Sequence, residues 1–483
     1  MRGKRKLIAA AVVALGLAAG GLSAPAFADI RSGTLPWLNP ATVRGSVHYL
    51  RTTFGVSEDE AMRRLRLQQW AETQAARLES QAAATYAGMR LDQQHGGRLV
   101  VMSTSVGSVK TLLRAAPDRK HIVVERVSRS LAQLRATRQR LASQLGAGPD
   151  SLLLPEVSED TNQVVVWKGD WLVAEWVQKF AAQQRTALDR AVAESAGGVV
   201  VRSLAKPRPL AAIDLGYCHP LACTDHGPMR GGLRLDISRD DGTVGGCTSG
   251  FNVRAHGGAY AGQAFVLTGG HCVVGGRHTH ADTPAHNGEQ VLREDNGLEL
   301  NAYPLDFALM PYANAATANR WLESQSQRNL VLSFCQEGGR DAECTHGDIP
   351  ITNVRTFERI ATGWVVCASG AGASSADYPG TVDTGAGPGY RPGAHCGRIL
   401  EKVGGGGINT DVCARAGDSG GPLFSEVGRA AYGILEGNLQ EREGACQPDE
   451  LNNYASVSTI LSHVNSQATA QGSTFKVITT AGG

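Results

Sequence analysis

No cysteine occurs in the first 217 of the 483 residues; all ten lie at or beyond Cys218. The chain also has no excess of either charge. Its formal net charge is +2, and four of its positive charges, Arg2, Lys4, Arg5 and Lys6, cluster at the amino terminus with no acidic residue before Asp29. Without residues 1–28 the balance becomes 2 − 4 = −2. That value gives no electrostatic case for nucleic acid or an anionic membrane as partner. Beyond the first thirty residues there is also no run of the roughly 18 consecutive apolar residues that a membrane-spanning helix needs.

The amino-terminal charges precede an apolar stretch from Leu7 to Leu22 and the small-residue triplet Ala26-Phe27-Ala28. This order predicts a secretory signal peptide over 1–28 and a secreted, extracellular protein. An even number of cysteines in an exported chain predicts disulfides, and their confinement to one half predicts a domain boundary. The segment "RSLAKPRPLAAIDLG", 202–216, with Pro207 and Pro209, reads as the linker, so that 29–212 and 213–483 are separate units.

The cysteine-free unit reads as α+β. Ser57 and Glu60 have the spacing of a capping box before a helix carrying Met62, Leu65 and Trp70, and Leu131, Leu134, Leu141 and Leu145 recur at helical spacing. "RLVVM", "HIVVE", "NQVVVW" and "GVVVR" read as strands. No catalytic constellation appears there, and its His95 reads as a surface residue. The second unit is glycine-rich, with short apolar runs such as "AFVLTGG" and "DFALMPY" between turn residues, which predicts an all-β sandwich or barrel. A helical period returns only at "YASVSTILSHVNSQ".

In "RAGDSGGPLF", residues 415–424, glycines flank Asp418 and Ser419 and an apolar run follows. Such a loop displays one hydroxyl. A serine hydroxyl becomes a nucleophile at neutral pH only beside a base, usually an imidazole held by a carboxylate. His271, at the end of an apolar run and followed by Cys272, fits the base. Asp306, interrupting the apolar "YPLDFALM", fits the carboxylate, because burial would demand a hydrogen-bonded partner.

"LTGGHC", "LDFALM" and "CARAGDSGGP", in that order, resemble the histidine, aspartate and serine motifs of secreted bacterial chymotrypsin-like serine proteases of the streptogrisin and alpha-lytic protease type. "MRGGLRL", "CTSGFNV" and "CASG" are similar to the start of the mature enzyme, a strand of its first barrel and a cysteine segment of its second. The region around "YAGMRLDQQHGGRLVV" resembles the propeptide.

The resemblance implies a two-barrel protease domain behind an α+β propeptide. It implies a secreted serine endopeptidase made as a zymogen, with His271, Asp306 and Ser419 catalytic and the N–H groups of Gly417 and Ser419 as oxyanion hole. Each oxyanion donor contributes roughly 3 to 4 kcal/mol in such systems. The implied partners are protein or peptide substrates and the chain's own propeptide.

Asp418 is implied to be a buried structural carboxylate. The disulfides implied are Cys247 with Cys272, Cys367 with Cys396 and Cys413 with Cys446, leaving Cys218 with Cys223 and Cys335 with Cys344. The alternative to an active enzyme is a catalytically inactive homologue acting as an extracellular binding module; an esterase using the same triad is a weaker one.

Two departures concern substrate. Where the family has serine-glycine-glycine, this chain has Glu436, Gly437 and Asn438. Glu436 and Gly437 are therefore expected at the substrate side, with Glu436 either favouring basic residues in the specificity pocket or turned to solvent or toward Arg429. The stretch between Cys367 and Cys396 is also longer than the family's. The cluster of His278, His280, Asp282 and His286 reads as solvated histidines, and no metal or cofactor is expected.

Overall fold

The computed structural model describes residues 35–146, 153–169, 175–210, 220–223, 227–238, 244–273, 285–295, 297–326, 328–333, 347–372, 390, 393–440 and 442–479. Residues 1–28, expected to be a signal peptide, and Cys218, Cys335, Cys344, His278, His280 and Asp282 lie outside the described residues.

The carboxy-terminal half is mostly β and holds two barrels. In the second barrel, strands Val365–Gly370, Gly393–Val403, Gly407–Thr410, Pro422–Ser425, Ala430–Asn438 and Asn452–Ser456 form a ring. It closes because Ala430–Asn438 pairs both with Pro422–Ser425 and with Asn452–Ser456. Closure leaves no free edge among these six strands. The first barrel is more open. Strands Glu299–Ala302, Leu305–Pro311, Ala264–Thr268, Phe251–His256 and Thr474–Val477 form one sheet, and Arg234–Ser238 with Val244–Thr248 belong to a second. The final helix, Val457–Ser466, follows the "YASVSTILSHVNSQ" period.

The amino-terminal region is α+β. Two three-stranded sheets, Tyr86–Asp92 with Arg98–Ser103 and Ile122–Arg126, and Leu153–Ser158 with Gln163–Gly169 and Val199–Leu204, each mix an antiparallel and a parallel pairing. Helices Glu58–Gln81, Leu131–Leu145 and Glu175–Glu194 accompany them. Ser57 caps the first of these through the Glu60 N–H, but the Glu60 carboxylate turns to Arg63 and Arg64 instead of closing a capping box. A reciprocal box forms at the second helix, between Ser130 and Gln133. His95 is exposed, its ring beside the Asp92 carboxylate.

The two regions share one hydrophobic core. Leu67, Trp70, Leu91, Leu134 and Val166 of the first belong to the same buried cluster as Phe357, Trp364, Ile399 and Ile408 of the second. Polar groups are matched across the boundary. Gln68 exchanges both hydrogen bonds with the backbone of Val365, at 2.8 and 3.1 Å. Ser46 gives its N–H and its hydroxyl to Glu426, at 2.8 and 2.7 Å. Glu72 meets Arg355, and Glu159 meets Lys402.

Sequence reasoning takes 202–216 as a linker. Instead, Val199–Leu204 completes a sheet and 208–210 lies against the carboxy-terminal half. Val199, Val200 and Val201, read as a strand from sequence, pair with Gln163–Gly169, and the pairing carries on through Ser203 and Leu204 of the expected linker, ahead of its prolines.

Candidate active site

His271 sits on a short turn after the strand Ala264–Thr268. Cys272 ties that turn to the strand Val244–Thr248 through its disulfide with Cys247. Asp306 lies in the neighbouring strand Leu305–Pro311, which pairs with Ala264–Thr268. Its Oδ1 accepts the His271 backbone N–H at 2.7 Å and its Oδ2 faces His271 Nδ1 in a short contact. A bidentate grip of this kind fixes the ring orientation and leaves Nε2 to face away. His271 Nε2 lies 2.7 Å from Ser419 Oγ. All three side chains are buried, so their attractions are not screened by solvent.

The loop carrying Ser419 comes from the second barrel and is held by the first. Thr248 donates its N–H to the Ser419 carbonyl at 2.8 Å and its hydroxyl to the Gly417 carbonyl at 2.7 Å. Gly417 has φ of +99°, in the region that disfavours side chains, and an added Cβ would press on the Gly372 backbone. The "GDSGG" run thus lets the chain turn tightly enough to aim the Gly417 N–H into the cleft.

The described residues place a peptide in that cleft. The Leu210 N–H donates to Ser419 Oγ at 3.0 Å, and the Leu210 carbonyl accepts the Gly417 N–H at 2.6 Å. Two residues earlier, Arg208 pairs with Asn438 in antiparallel fashion, through N–H to carbonyl bonds of 2.9 and 3.0 Å. Arg208 thus adds as a strand to the end of Ala430–Asn438 that runs on beyond its partner Pro422–Ser425. Gly437 is required beside it, because a Cβ there would overlap the Arg208 carbonyl. The Leu210 side chain is 8 % exposed and belongs to the cluster that includes Ala414, Leu435 and Tyr454. Burying it contributes about 2 kcal/mol.

The Ser419 N–H makes no hydrogen bond among the described residues. Leu210 and Arg208 were not singled out from sequence as site residues. The signal available was the pair Pro207 and Pro209, which favours the extended backbone that strand addition needs.

Glu436 does not take either position expected of it. It is 2 % exposed, so it is not at the surface, and its Oε1 accepts the backbone N–H of Asp306 at 3.1 Å. Arg429 is exposed. The cause is a register shift: Leu435 pairs with Tyr454 and Gly437 with Asn453, so Glu436 is the extra residue of a bulge and does not follow the alternation of the pocket wall. Burial pushes its carboxyl well above the usual carboxylate range, and the neighbouring Asp306 adds to the rise. Its Oε2 has no hydrogen-bond partner among the described residues.

Asp418 is buried, and burial pushes its carboxyl up to about 6. The three disulfides Cys247–Cys272, Cys367–Cys396 and Cys413–Cys446 are formed. Cys223 is also disulfide-bonded. The three groupings of His, Cys and carboxylate atoms close enough to suggest a metal each contain the sulfurs of one of those disulfides, which are not free to ligate. His286, from the histidine cluster, is buried with Nδ1 on the Arg234 carbonyl, not solvated, because it packs edge-on to Trp321.

No curated protein matches the chain. Among solved structures, Rv3671c from M. tuberculosis H37Rv, determined in an inactive mutant form, is 14 % identical over 46 % of this chain and 87 % of that one, with a TM-score of 0.23. The family model that matches is Trypsin, over residues 243–463, so this segment is similar to trypsin-like serine protease domains, and its strands have the chymotrypsin-type two-barrel fold.

Proposed function

We propose that the protein is a secreted serine endopeptidase made as a zymogen, in which residues 29–210 are a propeptide and the bond between Leu210 and Ala211 is the processing site. The observation that carries this reading is the seating of Leu210. Its carbonyl is bound by Gly417 N–H while Ser419 Oγ, 2.7 Å from His271 Nε2, lies against the same residue.

Ser419 Oγ attacks the carbonyl carbon of the residue at that position, and His271 Nε2 takes the hydroxyl proton. Asp306 holds the imidazole and stabilises its cation. The developing oxyanion rests on Gly417 N–H. His271 returns the proton to the leaving amine, and a water activated by the same imidazole then hydrolyses the acyl-enzyme. The substrate main chain pairs with Asn438 as Arg208 does.

A leucine in the pocket, together with the removal of Glu436 from its wall, supports a preference for apolar residues on the amino side of the cleaved bond. The disulfides accord with an oxidising, extracellular location.

The test is labelling of the secreted, processed protein with a fluorophosphonate probe, with Ser419→Ala as control. Labelling of wild type and not of the variant is expected. An unlabelled wild type would return the chain to the reading of an inactive homologue.

A further inference from the structure

The carboxylate of Asp418 sits in the chain between Gly417 and Ser419, and among the described residues no ion pair holds it. Oδ1 accepts the Gly372 N–H at 2.8 Å; Oδ2 accepts the Arg415 N–H at 2.8 Å and the hydroxyl of Tyr390. The buried Arg415 guanidinium is engaged elsewhere. It forms a two-pronged bond to Glu450, at 2.6 and 3.0 Å, and bonds to the carbonyls of Ala414, Gly444 and Ala445. Its charge is therefore met by Glu450. Burying a lone carboxylate is costly, so the neutral donors around Asp418 must supply the compensation.

Tyr390 is the only side-chain donor to this carboxylate among the described residues. It is fully buried, its ring is stacked on His395 with centroids 5.2 Å apart, and the Arg415 guanidinium lies 5.9 Å from its centroid. It comes from the stretch between Cys367 and Cys396, whose ends are joined by a disulfide. No motif in the sequence pointed to it.

We propose that Tyr390 is a positioning residue of the oxyanion loop, its phenol fixing Asp418 and through it the direction of the Gly417 N–H. This rests on the serine protease reading above. The carboxylate as an anion accepts three donors at once. As a neutral acid it turns one oxygen into a donor, which either faces the Gly372 or Arg415 N–H, themselves donors, or makes the Tyr390 hydroxyl give up donating and accept instead. Protonation of Asp418 thus loosens the loop.

Burial raises the Asp418 carboxyl to about 6, and the Tyr390 hydrogen bond is foremost among the influences holding it down, followed by the Arg415 and Gly372 N–H groups and the Arg415 charge. The other ionisable groups facing this site are Glu450, behind Arg415, Tyr454, whose phenol is itself pushed up by burial and by Asp418, and His395 against the Tyr390 ring. Removing the phenol therefore moves the ionisation of Asp418 to higher pH.

The experiment uses the full chain, expressed and processed, with kcat and KM measured from pH 4 to 9 on a peptide substrate with leucine before the cleaved bond. Fluorophosphonate labelling counts active sites. In Tyr390→Phe the acid limb of kcat/KM is expected to move up by about one pH unit, the worth of one hydrogen bond to a charged group. At the plateau kcat should fall about tenfold with KM within about twofold, because the lost alignment concerns the oxyanion and not the bound ground state.

A wild type that does not label rejects the protease reading itself. A wild type that labels, beside a variant with an unshifted acid limb, overturns the role of Tyr390. Should the variant fail to accumulate, Asp418→Asn replaces it in the same measurement. Its amide does not titrate, so the acid limb should lose the Asp418 proton and become less steep, and a limb of unchanged steepness overturns the proposal.

Discussion

The backbone N–H of Leu210 donates to Oγ of Ser419 at 3.0 Å, although the two residues are 209 positions apart in the chain. Ser419 Oγ is thus in contact with the chain that carries it, and on the proposed reading the bond after Leu210 is the one it cuts. In the full chain, Ser419→Ala is expected to leave this bond intact, while wild type yields a fragment whose amino terminus is Ala211. Amino-terminal sequencing of the secreted forms checks this. A cut elsewhere in wild type would show that the seated peptide is not the processing site. Leu210→Asp should slow the cut by about a hundredfold or more, since a carboxylate would replace an apolar side chain in a buried position.

Asp306 holds His271 through two contacts. Asp306→Asn keeps the shape but offers an amide donor where the imidazole needs an acceptor. The expected loss in kcat is about four orders of magnitude at neutral pH. Stopped assays at high enzyme concentration, normalised by folded protein, would measure it.

Glu436 offers a stability test with a defined sign. Its carboxyl is raised in the folded state by burial and by Asp306. A raised carboxyl means that the folded protein binds the proton more tightly than the unfolded chain. The stabilisation is fully present below the unfolded value of about 4.3 and is lost as pH rises toward the folded value. Glu436→Gln removes this dependence. The melting temperature of Glu436→Gln in the Ser419→Ala background, relative to the parent, should therefore increase progressively from pH 4 to 9. A constant difference would mean that the carboxyl is not held protonated. Peptide profiling should show the same apolar ranking with and without the substitution.

Gln68 supplies both hydrogen bonds to Val365 from the amino-terminal region. Gln68→Ala leaves a buried N–H and a buried carbonyl unpaired, which costs about 2 to 4 kcal/mol. In the uncut Ser419→Ala chain, the Val365 amide should then exchange with solvent at least tenfold faster, and the melting temperature should fall. Hydrogen exchange with mass spectrometry resolves this strand.

The grouping of the candidate triad was more legible in the sequence than the assembly was. His271, Asp306 and Ser419 stand in short local motifs whose glycines and apolar flanks are set by nearby geometry, so their placement follows from reading each motif alone. The strands around Val100, Val124, Val165 and Val200 and the helices capped by Ser57 and Ser130 follow from composition and period. Glu436 was misplaced because a bulge of one residue between Leu435 and Gly437 changes which way a side chain points, and pairing partners of a strand are not written in its own sequence. Gln68 and Ser46 act across long separations: Gln68 meets Val365 297 positions later and Ser46 meets Glu426 380 positions later. Contacts of that range leave no local signature.

The shared core of Leu67, Trp70 and Leu134 with Trp364, Phe357 and Ile408 has a consequence for timing. If the chain is cut after Leu210, the nick removes a covalent link but exposes none of that surface. Two polypeptides then remain married by the same apolar contacts, and the occupant of the cleft stays at high local concentration. Severing and departure would then be separate events on separate clocks, the first set by the turnover of a triad and the second by the lifetime of an interface.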